Sequence, residues 1–207
     1  MKFYLSLSVL FILILVPSCS NSSTTPTPPA PTINSFAVSP TSIVQGSGAT
    51  LSWSVSNATS VQIDQGIGTI AQSGSKAVNP NITTTYTLTA TNSTGSKTAA
   101  AALNVIWNLA GNWAGTTHSS TNGTSQIAFS VSQTGDSLSG TWTLTHGSYH
   151  IGGSLTGSVS ANTLSATLTG SSGYQATFSG TISNNGAQVD GSGTAPTGDY
   201  TFSITKQ

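Results

Sequence analysis

Leu138-Ser139-Gly140-Thr141-Trp142, Leu155-Thr156-Gly157-Ser158-Val159 and Phe178-Ser179-Gly180-Thr181-Ile182 repeat one pattern, apolar-x-Gly-x-apolar, anticipated by Leu109-Ala110-Gly111-Asn112-Trp113 and echoed by Val189-Asp190-Gly191-Ser192-Gly193. A period of two puts each glycine on the same face as its large neighbours, where a missing side chain lets a strand bend sharply. This predicts a tightly curved sheet. Around these copies the chain divides into about eight runs, 109–117, 124–133, 137–145, 149–159, 162–169, 174–183, 187–194 and 199–205, joined by short turns such as Gly135-Asp136 and Gly198-Asp199. Even spacing, short hairpins and no helical period predict an up-and-down barrel closed on itself, which removes exposed sheet edges. Its inward set includes Trp113, Ile127, Phe129, Val131, Leu138, Trp142, Leu144, Leu155, Leu168, Phe178, Phe202 and Ile204. The other face is Ser, Thr, Asn and Gln, the reverse of a membrane-spanning barrel, which carries its apolar band outside.

Upstream, residues 33–105 break into shorter alternating runs at Ile33–Val38, Ala49–Val55, Ser60–Ile63, Lys76–Val78, Thr84–Asn92 and Thr98–Val105. In Thr85-Tyr86-Thr87-Leu88-Thr89-Ala90, Tyr86, Leu88 and Ala90 share one face and the threonines the other, as in a half-buried antiparallel strand. About seven strands in so short a segment predict a β-sandwich. The fold class is therefore all-β, an N-terminal immunoglobulin-like β-sandwich plus a C-terminal eight-stranded up-and-down β-barrel.

Two resemblances sharpen this division. Ser39-Pro40, Ala49-Thr50-Leu51-Ser52-Trp53, Gln65-Gly66-Ile67-Gly68 and Thr83-Thr84-Thr85-Tyr86-Thr87-Leu88 resemble bacterial immunoglobulin-like surface domains. That resemblance implies a spacer or adhesion module, with Trp53 and Tyr86 in the core and Tyr86 in position for a tyrosine corner. Gly111-Asn112-Trp113 opening eight meandering strands is similar to the calycin group, the lipocalins and avidins. Gly115 stands where an avidin would place an asparagine, so no biotin-site residue is carried over.

At the N-terminus, Lys2 precedes an apolar run from Phe3 to Val16, followed by Pro17-Ser18-Cys19. As a helix that run would reach about 21 Å, short of the roughly 30 Å hydrocarbon core, so it reads as a signal peptide. Val16-Pro17-Ser18-Cys19 resembles the bacterial lipobox, which implies lipidation of Cys19; the alternative is an ordinary secretory peptide leaving an unpaired thiol. Ser20 after that cysteine fits sorting to an outer membrane or the cell surface. The next segment, with Pro26, Pro28, Pro29 and Pro31, cannot bury a core and forms an extended tether of up to about 40 Å. The expected organisation is a lipoprotein signal peptide at 1–18, a Pro/Ser/Thr-rich tether at 19–32, the sandwich at 33–106 and the barrel at 107–207.

Composition narrows the chemistry. The 207 residues carry four Lys/Arg and four Asp/Glu, and all are Lys or Asp. No basic stripe exists to neutralise phosphates, which argues against nucleic acid as a partner. The lack of Arg and Glu removes bidentate anion clamps and most carboxylate pairs used in hydrolysis. His146 and His150 are spaced i, i+4, but Gly147-Ser148 between them reads as a turn, and no third ligand is near, so no metal and no cofactor is expected. Flat aromatic rings with one polar edge suit a ligand cavity. The candidate ligand-binding residues are Trp113, Trp142, Tyr149, Tyr174, His146 and His150, with Trp107 and Tyr200 weighed beside them. The expected protein is a non-catalytic, lipid-anchored envelope protein whose barrel binds a small apolar ligand or glycan at one mouth, or serves as a packed adhesive module. The alternative is a hydrolase or isomerase using the loop of His146, Tyr149 and His150.

Overall fold

The computed structural model describes residues 26–183 and 185–207. The apolar run from Phe3 to Val16 and the proposed acceptor Cys19 lie outside the described residues. The first eight strands are β1 (Thr32–Ser39), β2 (Ser42–Val44), β3 (Ala49–Ser56), β4 (Ser60–Ile63), β5 (Gly68–Ile70), β6 (Ser73–Val78), β7 (Thr84–Asn92) and β8 (Gly95–Ile106). They form a three-stranded sheet, β1-β3-β6, and a five-stranded sheet, β2-β8-β7-β4-β5. Leu51, Trp53 and Val55 from the first share one core with Val61, Leu88 and Leu103 from the second.

Strands β2 and β5 are three residues each, too short for alternation to betray them. Strand β6 begins at Ser73, before the run at Lys76–Val78, because Ser73-Gly74-Ser75 has no apolar side chain yet pairs with β3 through its backbone. Gly74 leaves room for the ring of Trp53, whose Cζ2 lies 3.0 Å from where a Cβ would stand, and Trp53 Nε1 donates to Ala71 O at 2.9 Å. Tyr86 is buried in this core as expected. The tyrosine corner does not form: the hydrogen bonds among the described residues include none from its hydroxyl to upstream backbone.

The remaining strands are β9 (Gly111–Ser119), β10 (Gly123–Thr134), β11 (Ser137–His146), β12 (Tyr149–Ser160), β13 (Thr163–Gly170), β14 (Gln175–Ile182), β15 (Gln188–Ala195) and β16 (Gly198–Lys206). Each pairs antiparallel with the next, and β16 returns to β9 to close the barrel. The glycines of the repeated pattern act where neighbouring backbones approach. A Cβ on Gly140 would fall on the Ser130 carbonyl of β10, and one on Gly191 would fall on the Ser179 carbonyl of β14. No rotamer relieves such an overlap, so these positions require glycine for the curvature that closes a small barrel.

The run beginning at 109 is corrected at its start. Trp107 to Ala110 do not pair as strand but run across one end of the barrel. Leu109 is 2% exposed there, with its amide donating to Gln133 Oε1 at 2.6 Å. Gln133 Nε2 donates to Trp107 O, Trp107 Nε1 donates to Asn162 Oδ1, and Lys206 Nζ donates to Asn108 O while standing 5.9 Å over the Trp113 ring. The chain thus enters the barrel through a plugged end.

Candidate functional site

The barrel interior is packed at one end and open at the other. At the plugged end, Trp113, Phe129, Leu138, Leu155, Phe178 and Ile204 surround a void of only about 20 Å³. Phe178 lies edge-on to Phe202 at 5.1 Å and tilted against Phe129 at 5.7 Å. At the other end, inside the turns at 120–122, 147–148, 171–174 and 196–197, the side chains shrink and a cavity of about 360 Å³ opens.

Its floor is Trp142, 1% exposed, with Ile127 and Leu168. Trp142 pairs across the ladder with Gly153, and Gly153 pairs with Gly170, so two successive missing side chains make a slot for the indole. Tyr174 lies tilted on the indole at 5.4 Å. Tyr200 crosses the small inner position Gly193 and donates its hydroxyl to Thr177 O at 3.3 Å. Burial raises the phenol pKa of Tyr174, with Tyr149 adding to the effect, and burial raises that of Tyr200, with Tyr174 adding. Tyr149, Tyr174 and Tyr200 thus stand together as one group of phenols in the mouth. Across from them lie small polar side chains: the hydroxyls of Thr117 and Ser125, buried at 6% and 8%, with Ser119 and the amide of Asn122 also lining the cavity. His146 completes this side, its Nδ1 standing 3.1 Å from both Thr124 O and Ser125 Oγ. Among the described residues, no Asp or Lys side chain lines the cavity.

Of the residues singled out from the sequence, Trp142, Tyr149, Tyr174 and His146 meet in this mouth. Two do not. Trp113 faces inward, but in the plugged half, where its Nε1 donates to Leu109 O at 2.8 Å. His150 faces outward, because the two-residue turn sets His146 opposite Tyr149 and His150 opposite Thr145 on the other face, where its Nδ1 lies 3.0 Å from Thr145 Oγ1. The i, i+4 pair is thereby split by the barrel wall. Among the described residues, no three His, Cys, Asp or Glu side chains gather as metal ligands would. The mouth residues without a signal of their own were Thr117 and Ser125; a hydroxyl where the inner-face period demands an apolar residue was the available sign.

No family model matches the chain, and no curated protein matches it. Among solved structures, the chain is similar to one titled as a redesigned beta barrel, with 20% identity and a TM-score of 0.43, over 48% of this chain and 91% of that one.

Proposed function

We propose that this chain is a non-catalytic, lipid-anchored protein of the bacterial cell envelope, at the outer membrane or cell surface, in which an immunoglobulin-like stalk presents a barrel that binds a small molecule in its open mouth. The observation that carries the binding role is the contrast between about 20 Å³ at one end of the barrel and about 360 Å³ at the other. A cavity of a few hundred Å³, apolar and aromatic with a few convergent polar groups, has the size and character of a small-ligand site. The mouth lies at the end away from the chain's entry, which suits presentation outward. The lipobox-like Val16-Pro17-Ser18-Cys19 and the proline-rich tether support the anchoring.

The hydrolase or isomerase alternative loses its loop, since His150 stands outside the wall. The Ser125–His146 contact does not replace it. Where Nδ1 donates to Thr124 O, which only accepts, the same nitrogen has no lone pair left to take a proton from Ser125.

Native mass spectrometry of the chain from residue 20 onward, secreted into a bacterial periplasm, tests the binding role. One equivalent of added mass, lost in Ala195→Trp where an indole fills the mouth, is the expected result. A chain that stays bare after exposure to lipid, aromatic and glycan pools would overturn it. Fatty-acid labelling of the full chain against Cys19→Ser tests the anchor.

A further inference from the structure

Resting on that binding role, we infer that the mouth selects an uncharged, flat, ring-bearing molecule whose polar end donates a hydrogen bond to His146. Charge comes first. An ionised ligand in this cavity would give up water with no opposite charge in reach, because Asp and Lys are absent from its lining among the described residues. The floor comes second. Below Trp142 the barrel is filled, so a long acyl chain has no shaft to enter, whereas a compact ring fits between the tilted Trp142–Tyr174 pair and the aliphatic Ile127, Leu144 and Leu168. Orientation comes third. Apart from Thr197 in the β15–β16 turn, the non-phenolic polar groups lie on β9 to β11 and the turn between β9 and β10, and the phenols of Tyr149, Tyr174 and Tyr200 lie on or beside other strands, so a ring lying against the aromatic side turns one edge toward His146.

The imidazole sets the polarity of that edge. With its Nδ1 hydrogen directed at Thr124 O, neutral His146 offers Nε2 as an acceptor. The partner it fits is an O–H or N–H group. A ligand that presents only acceptors at that edge leaves this nitrogen to solvent, since His146 is exposed.

The test is calorimetric titration of the chain from residue 20 onward, in mildly alkaline buffer, with a series of naphthyl compounds of similar size: the methanol, its methyl ether, the methylammonium ion and the carboxylate. The alcohol should bind about tenfold or more tighter than either ion, and several-fold tighter than the ether. In His146→Phe the preference for alcohol over ether should vanish while ring binding persists. An ion that binds as well as the alcohol overturns the neutrality of the site. A preference that survives His146→Phe overturns the role of the imidazole. If none of the probes binds, the flat-ring class falls, and the mass-spectrometric result then decides separately whether the mouth binds anything else.

Discussion

Replacing Gly140 by alanine is the sharpest test of how the barrel is built. The added Cβ would coincide with the Ser130 carbonyl oxygen, and Gly140 is flanked by Val131 on β10 and Leu155 on β12. Both colliding groups are backbone, so relief requires β10 and β11 to part. Overpacking costs about 1–3 kcal/mol and a weakened ladder bond about 1 kcal/mol, against a gain of about 0.4–1 kcal/mol from the stiffer unfolded chain. The net loss is centred near about 2 kcal/mol, and at about 4–8 °C per kcal/mol for a domain of this size the barrel should melt about 8–16 °C lower. Gly170→Ala is the internal control. Its Cβ would meet Gly152 O and Tyr174 Cβ at 3.3 Å and Trp142 Cζ2 at 3.4 Å, contacts that a few tenths of an ångström relieve, at a backbone φ of −117° open to any residue. Scanning calorimetry of the whole chain measures both variants. A Gly140→Ala chain melting within about 3 °C of the wild type, or a Gly170→Ala chain falling equally far, would refute the close-approach reasoning.

Alkali should destabilise the barrel. Tyr174 and Tyr200 have phenol pKa values raised in the fold, so the unfolded chain releases its protons first, and stability that is full below about pH 10 declines as pH rises above it. Melting curves between about pH 9 and 11 should show that decline, shallower in Tyr200→Phe; a slope unchanged by the substitution would count against it. Trp107→Ala removes the bond to Asn162 and the ring that packs on Gly186, and should speed amide exchange at Leu109 and its neighbours without altering the mouth. Unchanged protection there would mean the plug holds without Trp107. Tyr149, 60% exposed, has little packing to lose, so Tyr149→Ala should leave stability within about 0.5 kcal/mol while weakening ring-ligand binding. A large melting shift would show that the rim tyrosine is structural.

Strand alternation made the barrel legible almost to the residue, because each strand has one wet and one dry face and the turns are short. Alternation leaves one coordinate open. Parity tells which face a side chain takes, not how far along the barrel axis it sits. Trp113 and Trp142 read alike, each two residues after a glycine, yet one is sealed under Leu109 and the other floors the cavity. Height depends on register around all eight strands, which only the closed ladder fixes. The two histidines part for a different reason: Gly147-Ser148 is a turn, as its sequence indicates, but which face each histidine takes depends on the turn's length. In a two-residue hairpin the flanking residues face each other, which joins His146 to Tyr149 and sends His150 outside.

An eight-stranded barrel is just wide enough for its own side chains to fill, so a hollow has to be made by making those side chains small. The inner face does this along its length. Trp113, Phe129 and Phe178 line the plugged end, whereas Thr117, Ser125 and Ala195 line the open one. Buried hydroxyls at 117 and 125 also sacrifice apolar contact that valine in either place would supply. A barrel shaped by stability alone would close at both ends as it does around Trp113, and on the proposed binding role the opening above Trp142 is where stability is given up for a ligand.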